Sequence, residues 1–260
     1  MDLKELRLAG DGKRHPWELA RRRVVADKVR SVARRHHFAR RNQAHIVDLG
    51  CGDAYLVEFL ARTFPHFNFV GVDINFSDDD LTTLRQTRAN QKNLSVHKTL
   101  DDARNSIPDT VSLVTLLDVV EHIENDKEFL RELRQDSVIS SDTIFFITVP
   151  AFQTLFCAHD TFLEHYRRYD KASLSLMLHD AGFQVLQQGY FFLSLIIPRY
   201  LQVRRERKQP RSGESFGVSQ WRHGVLVTSA VKYMLLLDYL LLRHLNLAGL
   251  SCYAICKPSV

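Results

Sequence analysis

The chain has few of the residues that hold small secreted or metal-stapled folds together. Of its 260 residues only four are cysteine (Cys51, Cys157, Cys252 and Cys256), and no two stand in a C-x-x-C pair. That spacing offers neither a disulfide framework nor a zinc ribbon, so a reducing cytoplasm is the expected compartment. Met1 to Arg14 has no apolar core segment, and no secretory signal is expected there. Internal repeats and low-complexity linkers are missing, which argues for a single domain over residues 1–260. A bilayer-spanning helix needs about 20 predominantly apolar residues with few charges. The most apolar stretch, Gly224 to Leu250, is interrupted by Lys232, Asp238, Arg243 and His244, which favours an amphipathic helix lying on the sheet or on a membrane.

What the chain does have is an ordinary apolar fraction, 45%, and a net charge of +5 that is unevenly spread. Between Lys13 and Arg41 stand eleven basic residues, Arg21, Arg40 and Arg41 among them, opposed only by Glu18 and Asp27. Residues 16 to 38 read as a helix with Pro16 in its first turn and Trp17, Leu19, Val24, Val25, Val29 and Val32 as apolar positions. Its cationic side is a candidate footprint for nucleic acid or an anionic membrane, and equally an ordinary solvated face.

The stretch that organises the chain is Ile46-Val47-Asp48-Leu49-Gly50-Cys51-Gly52-Asp53-Ala54. It reads as a buried strand, 45–49, a tight glycine turn, and a helix over 55–63. Two glycines one residue apart after a strand let backbone approach a ligand where a Cβ would clash. A dinucleotide fingerprint G-x-G-x-x-G would need a third glycine where Tyr55 stands. The next strand, Phe69 to Val72, ends in Asp73, 25 residues after Asp48 and placed to accept from a ribose diol.

Further along, a polar helix is expected around 78–91, a short strand at 94–98 before Asp101 and Asp102, and a central strand at 111–117. Asp118-Val119-Val120-Glu121-His122-Ile123 then leads into an acidic helix, 124–135. A strand at 143–149, a polar and aromatic loop at 151–169 and a helix at 171–181 follow. Five strands alternating with helices predict a doubly wound α/β sheet. We divide the domain into a basic helix (16–42), a cofactor-binding core (43–183) and a C-terminal elaboration (184–260). The elaboration holds strands at 184–192 and 251–257, with an apolar helical part between them. Cys252 and Cys256 would share one face of the last strand.

These motifs resemble the class I S-adenosylmethionine (SAM) methyltransferases. Asp48, Gly50 and Gly52 match the D-x-G-x-G-x-G turn of that family, with Ala54 at its last glycine. A bacterial subgroup is similar in Asp118 to Ile123 and in Val149-Pro150-Ala151-Phe152, His159-Asp160 and Leu163-Glu164-His165-Tyr166-Arg167-Arg168-Tyr169. Two departures are Glu164, where a glycine is usual, and Ile139-Ser140-Ser141-Asp142 in place of a P-G-G turn. The resemblance implies a Rossmann-like, seven-stranded, mostly parallel sheet with a reversed last strand and helices on both faces. It implies SAM as cofactor, held by Asp48, Gly50, Cys51, Gly52, Asp73, Ile74 and Asp118, with Asp101 at the adenine.

For chemistry, His165 and His159 are the candidate bases, since their loop should cover the cofactor crevice, and His122 is a third imidazole. Arg167, with Arg168, could clamp an anionic acceptor or simply pin the loop. Asp118, Glu121 and His122 sit at helical spacing for a Mg²⁺ or Zn²⁺ set, as in related enzymes acting on RNA ends or quinone precursors. The alternative keeps Asp118 on the cofactor while Glu121 and His122 cap the next helix, with no metal. The expected activity is methyl transfer to a small or lipid-linked hydroxylated, anionic acceptor. An RNA methyltransferase using the basic helix and a non-catalytic membrane- or partner-binding scaffold are the alternatives. The run Tyr190 to Ile197, followed by Arg199, Arg204, Arg205, Arg207 and Lys208, is a two-part signal for peripheral binding to an anionic membrane.

Overall fold

The computed structural model describes residues 14–38, 44–107, 109–208 and 223–259. Lys13, Arg40 and Arg41 of the basic segment lie outside the described residues. In chain order the helices are α1 (Pro16–Arg35), α2 (Tyr55–Thr63), α3 (Asp78–Thr87), α4 (Leu100–Ala103), α5 (Asp126–Gln135), α6 (Ala158–Phe162), α7 (Lys171–Asp180), α8 (Ile196–Lys208) and α9 (Val225–Leu242). The strands are β1 (His45–Leu49), β2 (Asn68–Val72), β3 (Leu94–His97), β4 (Leu113–Leu117), β5 (Ile144–Pro150), β6 (Phe183–Phe191) and β7 (Ser251–Pro258).

The strands form one seven-stranded sheet in the order β3-β2-β1-β4-β5-β7-β6. β1 to β5 are parallel, and β7 inserts antiparallel between β5 and β6. This is the doubly wound architecture expected, including its reversed last strand. The apolar runs are continuous because both faces of the sheet are covered. Ile46, Phe69, Leu113 and Phe146 point into one core with α1, α2 and part of α9. Val47, Val70, Val114, Phe145 and Ile147 point into the other, with α5 and α7. Cys252 and Cys256 share the second core, both fully buried.

Local signals fix the ends. Ser77 and Asp80 close a capping box on α3, Asp170 and Ser173 one on α7. α7 stops at Gly182, which takes φ +84°. Three expectations are corrected. Helix α5 starts two residues late, at Asp126 with Asn125 as its cap, so Glu121 and His122 do not cap it. Tyr190 and Phe191 belong to β6 and are buried together with Phe192; of the apolar run that follows, only Ile197 is largely exposed. Arg199 is turned inward, 3.7 Å from Asp160, and is no surface cation.

The basic helix α1 is also less free than its composition suggests. Arg14 pairs with Asp53 and lies over the Tyr55 ring, and Arg22 lies over Phe59. Lys28 donates to the Tyr253 hydroxyl at 2.8 Å, and Arg21 reaches Asp118 at 2.9 Å. Burying these cations on rings and carboxylates explains why so charged a helix packs against the sheet. It leaves Arg23, Arg34 and Arg35 exposed.

Candidate active site

Strand order reverses between β1 and β4, so a crevice opens at their carboxyl ends. The glycine turn forms one wall. Gly50 takes φ +75° and Gly52 φ +58°. A Cβ on Gly50 would sit 2.5 Å from Cγ2 of Val119, which follows β4 on the opposite wall. The turn is therefore glycine both for its backbone conformation and for the closeness of its neighbour. Most of its amides are already bonded: Gly50 and Cys51 donate to the Val72 carbonyl at 2.8 and 3.0 Å. Gly52 donates to Asp73 Oδ2 at 2.7 Å, and Asn75 donates to Asp73 Oδ1 at 3.0 Å. Asp73 thus ties the turn to the end of β2. Ala54, at the family's last glycine position, takes φ +60°. A left-handed alanine carries a cost of about 1 kcal/mol that glycine would not.

Asp48 is buried under the turn and accepts from the Thr115 hydroxyl. Burial, opposed by that bond and by Arg21, pushes its carboxyl up to about 6. Cys51 is buried, whereas Ile74, just past Asp73, stands 73% exposed, an apolar surface that a planar base would cover. Asp101 is exposed and held by Arg104 at 2.8 Å. Its neighbour Asp102 closes a capping box with Thr99. Asp118 leaves β4 at φ +59°, with Oδ1 accepting from Thr148 and Oδ2 facing Arg21.

On the far side of Asp118 the loop after β5 folds back over the site. Tyr166 donates its amide to the Glu121 carbonyl at 2.8 Å, and Phe152 bonds the Tyr169 carbonyl. Glu164 takes φ +62°, which is the physical reason a glycine is usual there. At the loop's centre is Asp160, fully buried. It accepts from His165 Nδ1 at 2.9 Å, Arg168 Nε at 2.8 Å and the Cys157 amide at 2.9 Å. Because the Asp160 carboxylate accepts at Nδ1, the neutral imidazole of His165 is the tautomer with its proton on Nδ1 and its lone pair on Nε2. His159, half-buried, is lowered to about 4 by burial and then by Arg199, which makes it a neutral, weak base. Arg167 is engaged by Asp126 at 3.0 Å and the Glu124 carbonyl at 2.7 Å, and Arg168 by Asp160 and the Ala151 carbonyl. Both pin the loop.

The sequence reading missed the roles of Arg199 and Asp160, and it grouped Glu121 with Asp118 rather than with His165. Asp118 does not join Glu121 and His122 on a helical face, because residues 120–122 form a single 3₁₀ turn and Asp118 faces Arg21. Instead His165 comes over from the loop, its ring centroid 4.6 Å from that of His122 at 85°.

The family model described as "Methyltransferase domain" matches residues 17–188. The chain belongs to that family. It is 23% identical over 149 residues to (S)-coclaurine N-methyltransferase of Thalictrum flavum subsp. glaucum, covering 57% of this chain and 38% of that one. It is 28% identical over 127 residues to malonyl-[acyl-carrier protein] O-methyltransferase of Bacillus cereus, covering 49% and 42%. The chain thus spans less than half the length of both curated relatives. Among solved structures it is similar in fold to the [4+2]-cyclase SpnF (TM-score 0.53, 17% identity, 96% of this chain and 86% of that one). It is similar also to a coclaurine N-methyltransferase solved with N-methylheliamine and SAH (TM-score 0.51, 16% identity, 91% and 70%). The family's cofactor, SAM, fits this methyltransferase domain on two observations: a turn that a Cβ would fill, and a strand-end carboxylate beside exposed Ile74.

Proposed function

We propose that the chain is a SAM-dependent methyltransferase acting on a hydroxyl of a small or lipid-linked, anionic acceptor. SAM supplies an electrophilic methyl group on a sulfonium. The protein's part is to hold the acceptor oxygen in line and to remove its proton. The observation that carries the reading is the His165–Asp160 pair, set by the Tyr166–Glu121 backbone bond next to Asp118. The Nε2 lone pair can act on a hydroxyl in two ways, by taking its proton or by holding a cation that acidifies it. Arg199, whose buried Nε has no partner among the described residues, is the guanidinium that an anionic group would meet. The cations of α1 that face inward speak against an RNA footprint. Incubating cell extract with labelled SAM and separating lipid, polar and RNA pools should place the label in the lipid or polar pool. His165→Ala should reduce turnover at least 100-fold with SAM affinity unchanged. Label confined to RNA, or loss of SAM binding in a folded His165→Ala protein, would overturn the acceptor assignment.

We propose further that the enzyme works in the cytoplasm, at the inner face of the membrane. What supports this is α9, an 18-residue helix of mean hydropathy 1.7 with only 22% of it buried. Leu226, Tyr233, Met234, Leu237, Leu240 and Leu241 are all exposed, at three- and four-residue spacing along one side. Its other side is tied to the protein: Tyr239 and Arg243 bond Asp27 of α1, and Asp238 accepts from Ser194. A helix anchored so lies along a surface rather than crossing it. Exposed Arg204, Arg205 and Lys208 supply the cations, each contributing about 1 kcal/mol beside anionic headgroups. Flotation with vesicles containing phosphatidylglycerol should show salt-sensitive binding that Leu237→Asp/Leu241→Asp abolishes. Absence of binding at low salt would refute it.

A further inference from the structure

Glu121 is 1% exposed, and among the described residues neither of its carboxylate oxygens has a donor beyond the residue's own amide. A buried carboxylate left in that condition is costly, and such groups are ordinarily paired or coordinate a metal. Among the described residues no arginine or lysine hydrogen-bonds it, although the Arg21 and Arg168 guanidiniums lie near enough to favour its charge. What faces it instead is a pair of imidazoles: the ligand atoms of Glu121, His122 and His165 all lie within 4.8 Å of one another. We propose that these three side chains bind one divalent transition-metal cation, zinc or a close relative, on the acceptor side of the site. The role of the cation rests on the methyltransferase reading; its binding does not.

Four features support the assignment. One carboxylate and two imidazoles are the donors that suit zinc and its neighbours, whereas magnesium and calcium prefer all-oxygen shells. His165 donates Nδ1–H to buried Asp160, the carboxylate–histidine arrangement that orients a ligating imidazole and leaves Nε2 for the metal. The two chain segments that supply the donors are locked together by the Tyr166 amide on the Glu121 carbonyl at 2.8 Å. Three protein ligands leave a coordination position open, as in catalytic rather than structural zinc sites. Metal–nitrogen bonds of about 2.1 Å put neighbouring donors about 3.4 Å apart, so donors that now lie within 4.8 Å of one another would draw in by roughly 1 Å on binding. A hydroxyl in the open position would lose its proton more readily, which is the task that O-methylation sets.

The test uses the whole chain, stripped with a chelator and dialysed, and reads zinc binding by calorimetry and cobalt binding by its visible spectrum. One cation per chain is expected, with affinity reduced on the order of 100-fold or more in both Glu121→Gln and His122→Ala. Circular dichroism on the same samples establishes that the variants are folded, and Glu121→Gln keeps the shape of the buried group. Folded wild-type protein that takes up no zinc or cobalt, or equal affinity in both variants, would overturn the site. SAM affinity measured on the same metal-free samples separates the two readings. SAM binding without zinc uptake removes the metal site alone, and zinc uptake without SAM binding removes the methyltransferase role alone.

Discussion

Gly50→Val should abolish SAM binding while leaving the fold intact. Two costs coincide at this position. The backbone holds φ +75°, a region that β-branched side chains almost never enter, and the new Cβ would meet Val119 Cγ2 at 2.5 Å. Val119 has little freedom to retreat, since it begins the turn that places Glu121. The loop after β1 must therefore move away from the loop after β4, and the crevice between them changes shape where the cofactor enters. We expect a loss of affinity beyond the range of calorimetry, with near-native circular dichroism and a fall in stability of about 1–3 kcal/mol. Asp73→Ala is the graded companion. It removes the acceptor for the Gly52 and Asn75 amides along with the carboxylate expected to meet the ribose, so SAM should bind about 1–3 kcal/mol more weakly rather than not at all. Wild-type affinity in Gly50→Val would show that the cofactor does not use this turn.

The difference between those two positions also shows what could be read in the chain beforehand. The glycine turn and the strand-end acid are local signals: their chemistry is written within a few residues, and the structure places both at the predicted strand ends. Pattern likewise located the central strands, because a sheet covered on both faces demands unbroken apolar runs such as Leu113 to Leu117. The acceptor side was not legible in this way. Spacing set Glu121 and His122 beside Asp118, and only the fold shows that their third member is His165, 44 positions after Glu121. Arg199 lies among surface cations in sequence, and only the packing of α8 against the loop turns it inward. The same holds for the apolar run after Tyr190. Tyr190, Phe191 and Phe192 complete the core because β7, from the far end of the chain, pairs with β6. Glu164 and Ala54 were visible as departures from a pattern, but their meaning needed backbone angles: each is a non-glycine in left-handed conformation.

Asp160→Asn should be the most damaging single-atom change on the acceptor side. The carboxylate is fully buried and serves His165, Arg168, the Cys157 amide and, at 3.7 Å, Arg199. An amide of the same shape keeps the volume but removes the charge. It leaves the Arg168 guanidinium, itself 6% exposed, without its counter-ion. Removing one partner of a buried ion pair typically costs about 3–5 kcal/mol, because the other charge stays in the interior. Burial works against the Asp160 charge, but the His165 hydrogen bond and the Arg168 guanidinium outweigh it. Together they hold the carboxyl well below the usual carboxylate range. A carboxyl depressed in the folded state contributes stability above its unfolded value, near 3.9, and loses it as pH falls towards the folded one. The gap between wild type and Asp160→Asn, measured by urea unfolding, should therefore be complete at pH 7 and narrow once the pH drops below about 4. SAM affinity should survive in the variant, since no Asp160 contact touches the glycine turn, whereas turnover should fall with the loss of His165 orientation. A gap of less than 1 kcal/mol at pH 7 would show that the loop is held by its backbone bonds to Glu121 and Tyr169, and that the buried charge network only decorates it.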